Sequence, residues 1–253
     1  MNEREVFDLL VYSWFGLAVL VFLFLFFISA PYGRHARQGW GPTVSNTVGW
    51  VIMEAPSPLV FTACFVWGKN FTAPAWIFLG LWLLHYGYRA FIYPLRMGSS
   101  GKKRMPLVIA LMGVAFNSVN GYINGRWLFG FADAYELSWL WDPRFVAGVA
   151  LFLAGYAINH HSDHVLRTLR KPGETGYKIP TGGMYRFVSA PNYLGEVVEW
   201  AGWALLTFSL PGAAFAFWTT ANLAPRAATH HAWYRETFPE YPKRRKALLP
   251  FLW

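Results

Sequence analysis

Seven apolar runs account for most of this chain, at about residues 9–30, 44–67, 75–95, 106–130, 145–165, 194–210 and 213–229. Runs of roughly 20 apolar residues match the hydrocarbon thickness of a bilayer when helical. A backbone in lipid must satisfy its own hydrogen bonds, so each run is expected to be a helix. The expected fold is all-α: a polytopic integral membrane protein, a seven-transmembrane helix bundle. Composition agrees, because 55% of residues are hydrophobic, 19% aromatic and only 14% charged. That balance is too apolar for a soluble domain of this length.

Charge sets the orientation. Seven crossings place 18 of the 22 Lys and Arg residues on one side and leave Arg4, Lys69, Arg126 and Arg144 on the other. The positive-inside rule then puts the N-terminus outside and the C-terminus in the cytosol. The same distribution removes nucleic acid as a reason for the net charge of +9. MNEREVFDLL is acidic where a signal peptide would be basic, so the first run reads as a retained span. The single cysteine, Cys64, falls within a span, which excludes an intramolecular disulfide. Pro211-Gly212 reads as the tight turn between the last two spans. KPGETGYKIPTGG, at 171–183, cannot be a continuous helix. No linker divides the chain, so 1–253 is expected to be one domain.

Polar residues inside apolar runs need a partner or a cavity. Glu54 lies mid-span, with Trp50 one turn earlier, and Pro56 and Pro58 predict a kink just beyond it. An interhelical hydrogen bond would account for Glu54; so would a protonated acid that donates to a ligand carbonyl. Tyr86 sits deep in the third span, whereas Tyr93 and Arg96 read as interfacial anchors. Asn159, Asp163 and Arg170 share one helical stripe at the cytosolic end. Arg226, His230 and Tyr234 form another. With Lys171 and Lys178 these build a cationic mouth suited to phosphate. His160 and His164 have metal-ligand spacing but no HExxH context, and no metal is expected. Glu196 and Glu199 lie in GGMYRFVSAPNYLGEVVEWAGW, a polar loop running into an apolar span. No GxGxxG, GxxxxGK[ST] or GxSxG is present, so any nucleotide must be held by helix ends and loops of the bundle.

The run NHHSDHVLRTLRKPGETGYKIPTGGMYRFVSAPNYLGEVVEWAGWALLTFSLPGAAFAFW resembles the C-terminal half of the steroid 5α-reductase family, nearest its type 2 branch. HHAWYRETFPEYPKRRKALLPFLW, MEAPSP and LLHYGYRAFIY extend the likeness, which is weakest before Tyr32 and between Arg96 and Arg144. The resemblance implies NADPH-dependent reduction of a Δ4-3-oxo steroid, with most nucleotide contacts from about residue 105 onward. Glu54 and Tyr86 match the groups that bind the C3 carbonyl, and Trp50 is expected beside the substrate. Matching cofactor positions are Tyr32, Arg34, Asn159, Asp163, Arg170, Tyr177, Lys178, Asn192, Glu196, Arg226, His230 and Tyr234. Arg34 and Lys178 exchange Lys and Arg relative to the type 2 pattern, and Met97 and Met112 depart from it. Glu199 receives no role.

The expected partners are a steroid-like enone lipid and membrane lipid, with no nucleic acid and no obligate protein partner; the expected state is a monomer. A divergent, bacterial-type member is expected, in an inner membrane if bacterial and in the endoplasmic reticulum if eukaryotic. Two rival readings remain. Membrane methyltransferases related to isoprenylcysteine carboxyl methyltransferase share the YRFVxxPNYLGE core, but read RHP where this chain has Ser189-Ala190-Pro191. Other sterol or enone-lipid double-bond reductases share NADPH without the Glu54 context.

Overall fold

The computed structural model describes residues 1–27, 39–98, 103–170, 174 and 176–253. The chain is mostly helical, and among the described residues each of the seven apolar runs is largely helix. α1 spans Glu3–Phe27. It opens with a reciprocal cap, in which Asn2 Oδ1 accepts from the Glu5 amide at 2.9 Å and Glu5 Oε2 accepts from the Asn2 amide at 3.1 Å. The second run is two helices, α2 (Asn46–Glu54) and α3 (Pro56–Gly68), broken at Ala55. Pro56 and Pro58 cannot donate, so the Ile52 and Glu54 carbonyls lose their helical partners. The expected kink therefore lies immediately after Glu54.

α4 covers Ala73–Gly87 and continues into a π-helical turn over Tyr88–Ile92, where Tyr93 N reaches back to Tyr88 O at 2.8 Å. α5 covers Leu107–Arg126 and also ends in a π turn, Trp127–Phe131. A short antiparallel pair, β1 (Thr43–Ser45) with β2 (Arg104–Pro106), precedes α2 and α5. Arg104 secures it by donating to Thr43 Oγ1 at 2.6 Å. α6 is Pro143–Thr168, α7 is Pro191–Thr207 and α8 is Leu210–Thr237.

The last hairpin differs from expectation. The chain turns at Phe208, in left-handed backbone (φ 41), and at Ser209, whose Oγ accepts from Gly212 N at 3.1 Å. Pro211 and Gly212 belong to the first turn of α8. Proline fits there because a first-turn amide has no helical acceptor to lose. α8 also runs past 229 to Thr237, so the Arg226–His230–Tyr234 stripe lies wholly on helix.

Three helical stretches among the described residues, Glu3–Phe27, Asn46–Gly68 and Leu107–Phe131, are long and apolar enough to cross a membrane. This is consistent with a membrane protein.

The contacts divide the chain into two compact units. The first is Met1–Tyr12 with Ala30–Phe145. Its core holds Phe61 stacked on Trp82 at 4.3 Å and edge-on to Phe129 at 5.1 Å. α5 approaches α3 closely here, since a Cβ on Gly125 would lie 2.8 Å from Cys64 Cβ. The second unit is Ser13–Ser29 with Val146–Trp253. Phe152, Trp200, Trp203 and Phe215 pack in its core. Gly148 and Gly155 on α6 face Gly202 and Gly195 on α7. A Cβ on any of the four would sit less than 3.0 Å from the other helix's backbone. The two backbones touch, as small residues at membrane-helix interfaces allow.

Asp142 caps α6, accepting at Oδ1 from the Arg144 amide at 2.8 Å and from Arg144 Nε at 2.9 Å. These hydrogen bonds from Arg144 hold its carboxyl down, at about 2.

Two outcomes follow from the packing and the cap. Gly195→Ala forces α6 and α7 apart and should cost about 1–3 kcal/mol. Gly80→Ala, with nothing within 4 Å of its Cβ, should be neutral or stabilise by about 0.5–1 kcal/mol. Thermal midpoints in detergent, equal for both variants, would contradict the contact. For Asp142 the folded pKa lies below the unfolded one, so the cap is intact above about pH 3.9 and is lost as pH falls through about 2. An NMR titration of Asp142 with a midpoint near that of a free aspartate would refute the cap.

Candidate active site

In the first unit the break between α2 and α3 presents Glu54 at a helix end, half-buried. Asn117 on α5 lies opposite it, only 4% exposed. Its amide donates to the Met53 carbonyl at 2.7 Å and to Glu54 Oε2 at 3.3 Å. One nitrogen thus anchors the end of α2 and one carboxyl oxygen. Trp50, one turn before Glu54, is covered by the Arg89 guanidinium at 4.6 Å and meets the Tyr93 ring at 5.3 Å. Arg89 also lies 4.9 Å from Tyr93. Tyr93, expected to be an interfacial anchor, and Arg89 therefore hold the Trp50 ring. Tyr86 is buried on α4, against Trp82 at 5.1 Å and His85 at 4.8 Å, immediately before the π turn.

In the second unit the glycine contact aligns polar side chains on α6 and α7. Asn159, one turn beyond Gly155, donates to the Asn192 carbonyl at 2.9 Å and to Glu196 Oε1 at 3.1 Å. Asn192 Nδ2 donates to Asp163 Oδ1 at 3.3 Å. Asn159, Asp163, Asn192 and Glu196 thus form one network. Glu199 is completely buried on the face of α7 that meets Gly155.

The cationic residues are more dispersed. Arg170 donates to the Gly176 carbonyl at 3.3 Å. Lys178 pairs with Glu174. Tyr177 is exposed and packs edge-on against Trp233 at 4.9 Å. On α8, Arg226 is half-buried and His230 lies 5.5 Å from the Tyr193 ring. Tyr234 is buried and stacked on Tyr241 at 5.2 Å, so it lines the interior of its unit. His164 Nδ1 meets Arg167 at 3.1 Å, and His160 packs on Tyr156 at 3.9 Å. Tyr32, Arg34 and Lys171 lie outside the described residues.

The profile of the family "3-oxo-5-alpha-steroid 4-dehydrogenase" matches residues 103–253, which include the whole Asn159 network. This chain belongs to that family. Over 224 residues it is 49% identical to 3-oxo-5-alpha-steroid 4-dehydrogenase 1 of Macaca fascicularis, covering 87% of this chain and 84% of the relative. With the Homo sapiens protein of the same name it shares 47% over 227 residues, 88% of this chain and 86% of the relative. Steroid 5-alpha-reductase DET2 of Gossypium hirsutum is 40% identical over 256 residues, covering 100% and 99%.

Sequence reasoning missed Asn117. Asn117, Asn120 and Asn124 recur at helical spacing inside an apolar run, and all three are buried. The burial cost that flagged Glu54 flags them equally.

Asn159→Leu removes two of the three hydrogen bonds of the α6–α7 network and should destabilise by about 1–3 kcal/mol. Asn159→Asp should cost more, since it sets a carboxylate against Glu196 and a carbonyl. A thermal midpoint for Asn159→Asp equal to that of the unaltered protein would overturn the hydrogen-bond assignment.

Proposed function

We propose that this protein reduces the Δ4 double bond of 3-oxo-Δ4 steroids to 5α-dihydrosteroids with NADPH. In this reading one domain crosses the membrane seven times, its N-terminus outside and its cofactor residues at the cytosolic side. Family membership supports steroid double-bond reduction. The observation that supports the site assignment is Asn117 donating to Glu54 Oε2 at 3.3 Å, because it orients a half-buried carboxyl at the helix break after Glu54.

An enone is reduced by a hydride at its β-carbon while the electron pair of the double bond moves to the carbonyl oxygen. When bound, NADPH supplies that hydride. Glu54 and Tyr86 would donate hydrogen bonds to the C3 oxygen, whose negative charge grows as C5 is attacked. Donors aimed at developing charge accelerate such steps most. A proton then joins C4, and the C3 ketone is restored. The Trp50 ring, fixed by Arg89, would offer a flat apolar wall to the steroid.

The polar residues of the second unit fit the nucleotide by chemistry. Asn159, Asn192, Asp163 and Glu196 present alternating donors and acceptors suited to hydroxyl and carboxamide groups. Arg170, Lys178 and Arg226 suit phosphate, to which Arg can bind bidentately. Tyr177 offers an exposed ring, and His230 and Tyr234 complete the α8 stripe. Tyr32 and Arg34 join the set by family likeness.

Purified full-length protein with NADPH should convert progesterone or testosterone to the 5α-dihydro product, and should prefer NADPH to NADH. Methyl transfer from S-adenosylmethionine with no NADPH oxidation would replace this reading by the methyltransferase one. Glu54→Gln and Tyr86→Phe should lower kcat about 100- to 1,000-fold while NADPH affinity stays within about twofold. Equal loss of turnover and affinity would remove them from the chemistry. Arg226→Ala and Arg170→Ala should instead weaken NADPH by about tenfold or more.

A further inference from the structure

The described part of the second unit contains a cavity of about 600 Å³ at the end of α8, away from the stripe assigned to the nucleotide. Ala228, His231 and Arg235 line it from α8, and Lys246 and Trp253 from the C-terminal segment. At about 100° per residue, the Ala228–His231–Arg235 stripe lies about 130° around the helix from Arg226–His230–Tyr234. The cavity and the nucleotide residues therefore use different faces of α8.

Its wall is built, not incidental. Lys246 N donates to Phe187 O at 2.9 Å, and Ser189 N donates to Lys246 O at 2.8 Å, fixing the Lys246 backbone. Ser189 Oγ lies 2.6 Å from His231 Nδ1, 2.6 Å from Tyr241 OH and 3.1 Å from Lys246 O. The assignment that uses each proton once has Ser189 donating to Lys246 O and accepting from Tyr241 OH and His231 Nδ1–H. That leaves His231 Nε2 as an acceptor. Trp253 is tied down by mutual hydrogen bonds with Leu249, its own amide donating at 3.1 Å and its carbonyl accepting at 2.6 Å.

Arg235 and Lys246 have no ion-pair or hydrogen-bond partner for their side chains among the described residues; burial, and then the charges of Arg235 and Lys246, push the His231 imidazole below its ordinary value. Among the described residues that line the cavity, Glu236 is the one with a carboxylate side chain. Beside this cationic hollow, Phe251 and Leu252 are both 78% exposed. A cationic hollow with an apolar rim matches an amphiphilic anion. Two cations neutralise a phosphate, a free imidazole nitrogen accepts the proton of a phosphomonoester, and the rim meets an acyl chain.

We propose that this cavity binds a phosphate ester between Arg235 and Lys246, as the headgroup of an anionic membrane lipid or as a soluble phosphate. The site is independent of the steroid reaction and of the nucleotide residues.

The test uses the full chain in detergent, with dioctanoylphosphatidic acid, dioctanoylphosphatidylcholine and inorganic phosphate as probes, read by native mass spectrometry and calorimetry. Phosphatidic acid should bind once per chain, about tenfold or more tighter than phosphatidylcholine. Arg235→Gln with Lys246→Gln should weaken it about tenfold or more, whereas Lys243→Gln with Arg244→Gln, at exposed positions outside the cavity, should change it less than about twofold. Arg235→Gln alone should give an intermediate loss at an unchanged thermal midpoint. Competition by inorganic phosphate as strong as by phosphatidic acid would keep the site and assign it to soluble phosphates; weak competition would assign it to lipid. Equal losses from both double variants would reduce the cavity to part of a diffuse basic surface and overturn the proposal, as would absence of saturable binding.

Discussion

The direct contact of α6 with α7 is the constraint from which the polar half of this protein follows. Without side chains at Gly148, Gly155, Gly195 and Gly202 the two backbones touch. Short side chains one turn away can then span the gap. An asparagine reaches only a few ångströms, and Asn159 meets both Asn192 and Glu196 because the helices are this close. A larger separation would strand three polar groups in an apolar interior, where each unmet hydrogen bond costs more than the bond contributes when made. Packing and polarity are therefore one problem with one solution, and the glycines carry no chemistry of their own.

Asparagine plays a comparable part in the first unit. Pro56 ends α2 and strips donors from the carbonyls around Glu54, so the helix end needs a donor from elsewhere. Asn117 supplies one, and the same amide reaches the carboxyl. A lysine or arginine there would hold Glu54 ionised by charge. A neutral amide orients the carboxyl with a hydrogen bond and adds no charge of its own.

Much of this was legible in the sequence because membranes make sequence expensive to disguise. Apolar runs of span length became helices, and Pro56 broke one where proline must. Asn159, Asp163, Asn192 and Glu196 stood out as polar groups in apolar surroundings, and the structure joins them. The last hairpin was misplaced because Pro-Gly is read as a turn from local propensity, although Pro in the first turn of a helix is equally well accommodated. Ser209 as an N-cap is the signal that distinguishes the two. The β1–β2 pair and the Ser189–His231–Tyr241 cluster were invisible for another reason. They join residues tens of positions apart, and three-residue strands leave no periodicity to detect.

α8 shows how one helix can serve two purposes in a chain this short. Its Arg226, His230 and Tyr234 face lies toward residues packed in the unit's interior, for Tyr234 is buried on Tyr241. Its His231 and Arg235 face borders an open cavity. Tyr241 belongs to both surroundings, stacking on Tyr234 and contacting Ser189 beneath His231. The side chains of the two faces thus share one rigid partner, and the order of the KRRK segment depends on that partner. Arg245 is buried over the Tyr241 ring at 5.2 Å, while Lys243 and Arg244, the two central residues of the turn, remain exposed. Four consecutive cations that look alike in sequence therefore have three different fates: two solvated, one packed on an aromatic ring, and one, Lys246, in the cavity wall. A basic run near a membrane is commonly taken as a single electrostatic unit. Here the backbone pairing of Lys246 with Phe187 and Ser189 divides it, because pinning one residue of the run dictates where its neighbours point.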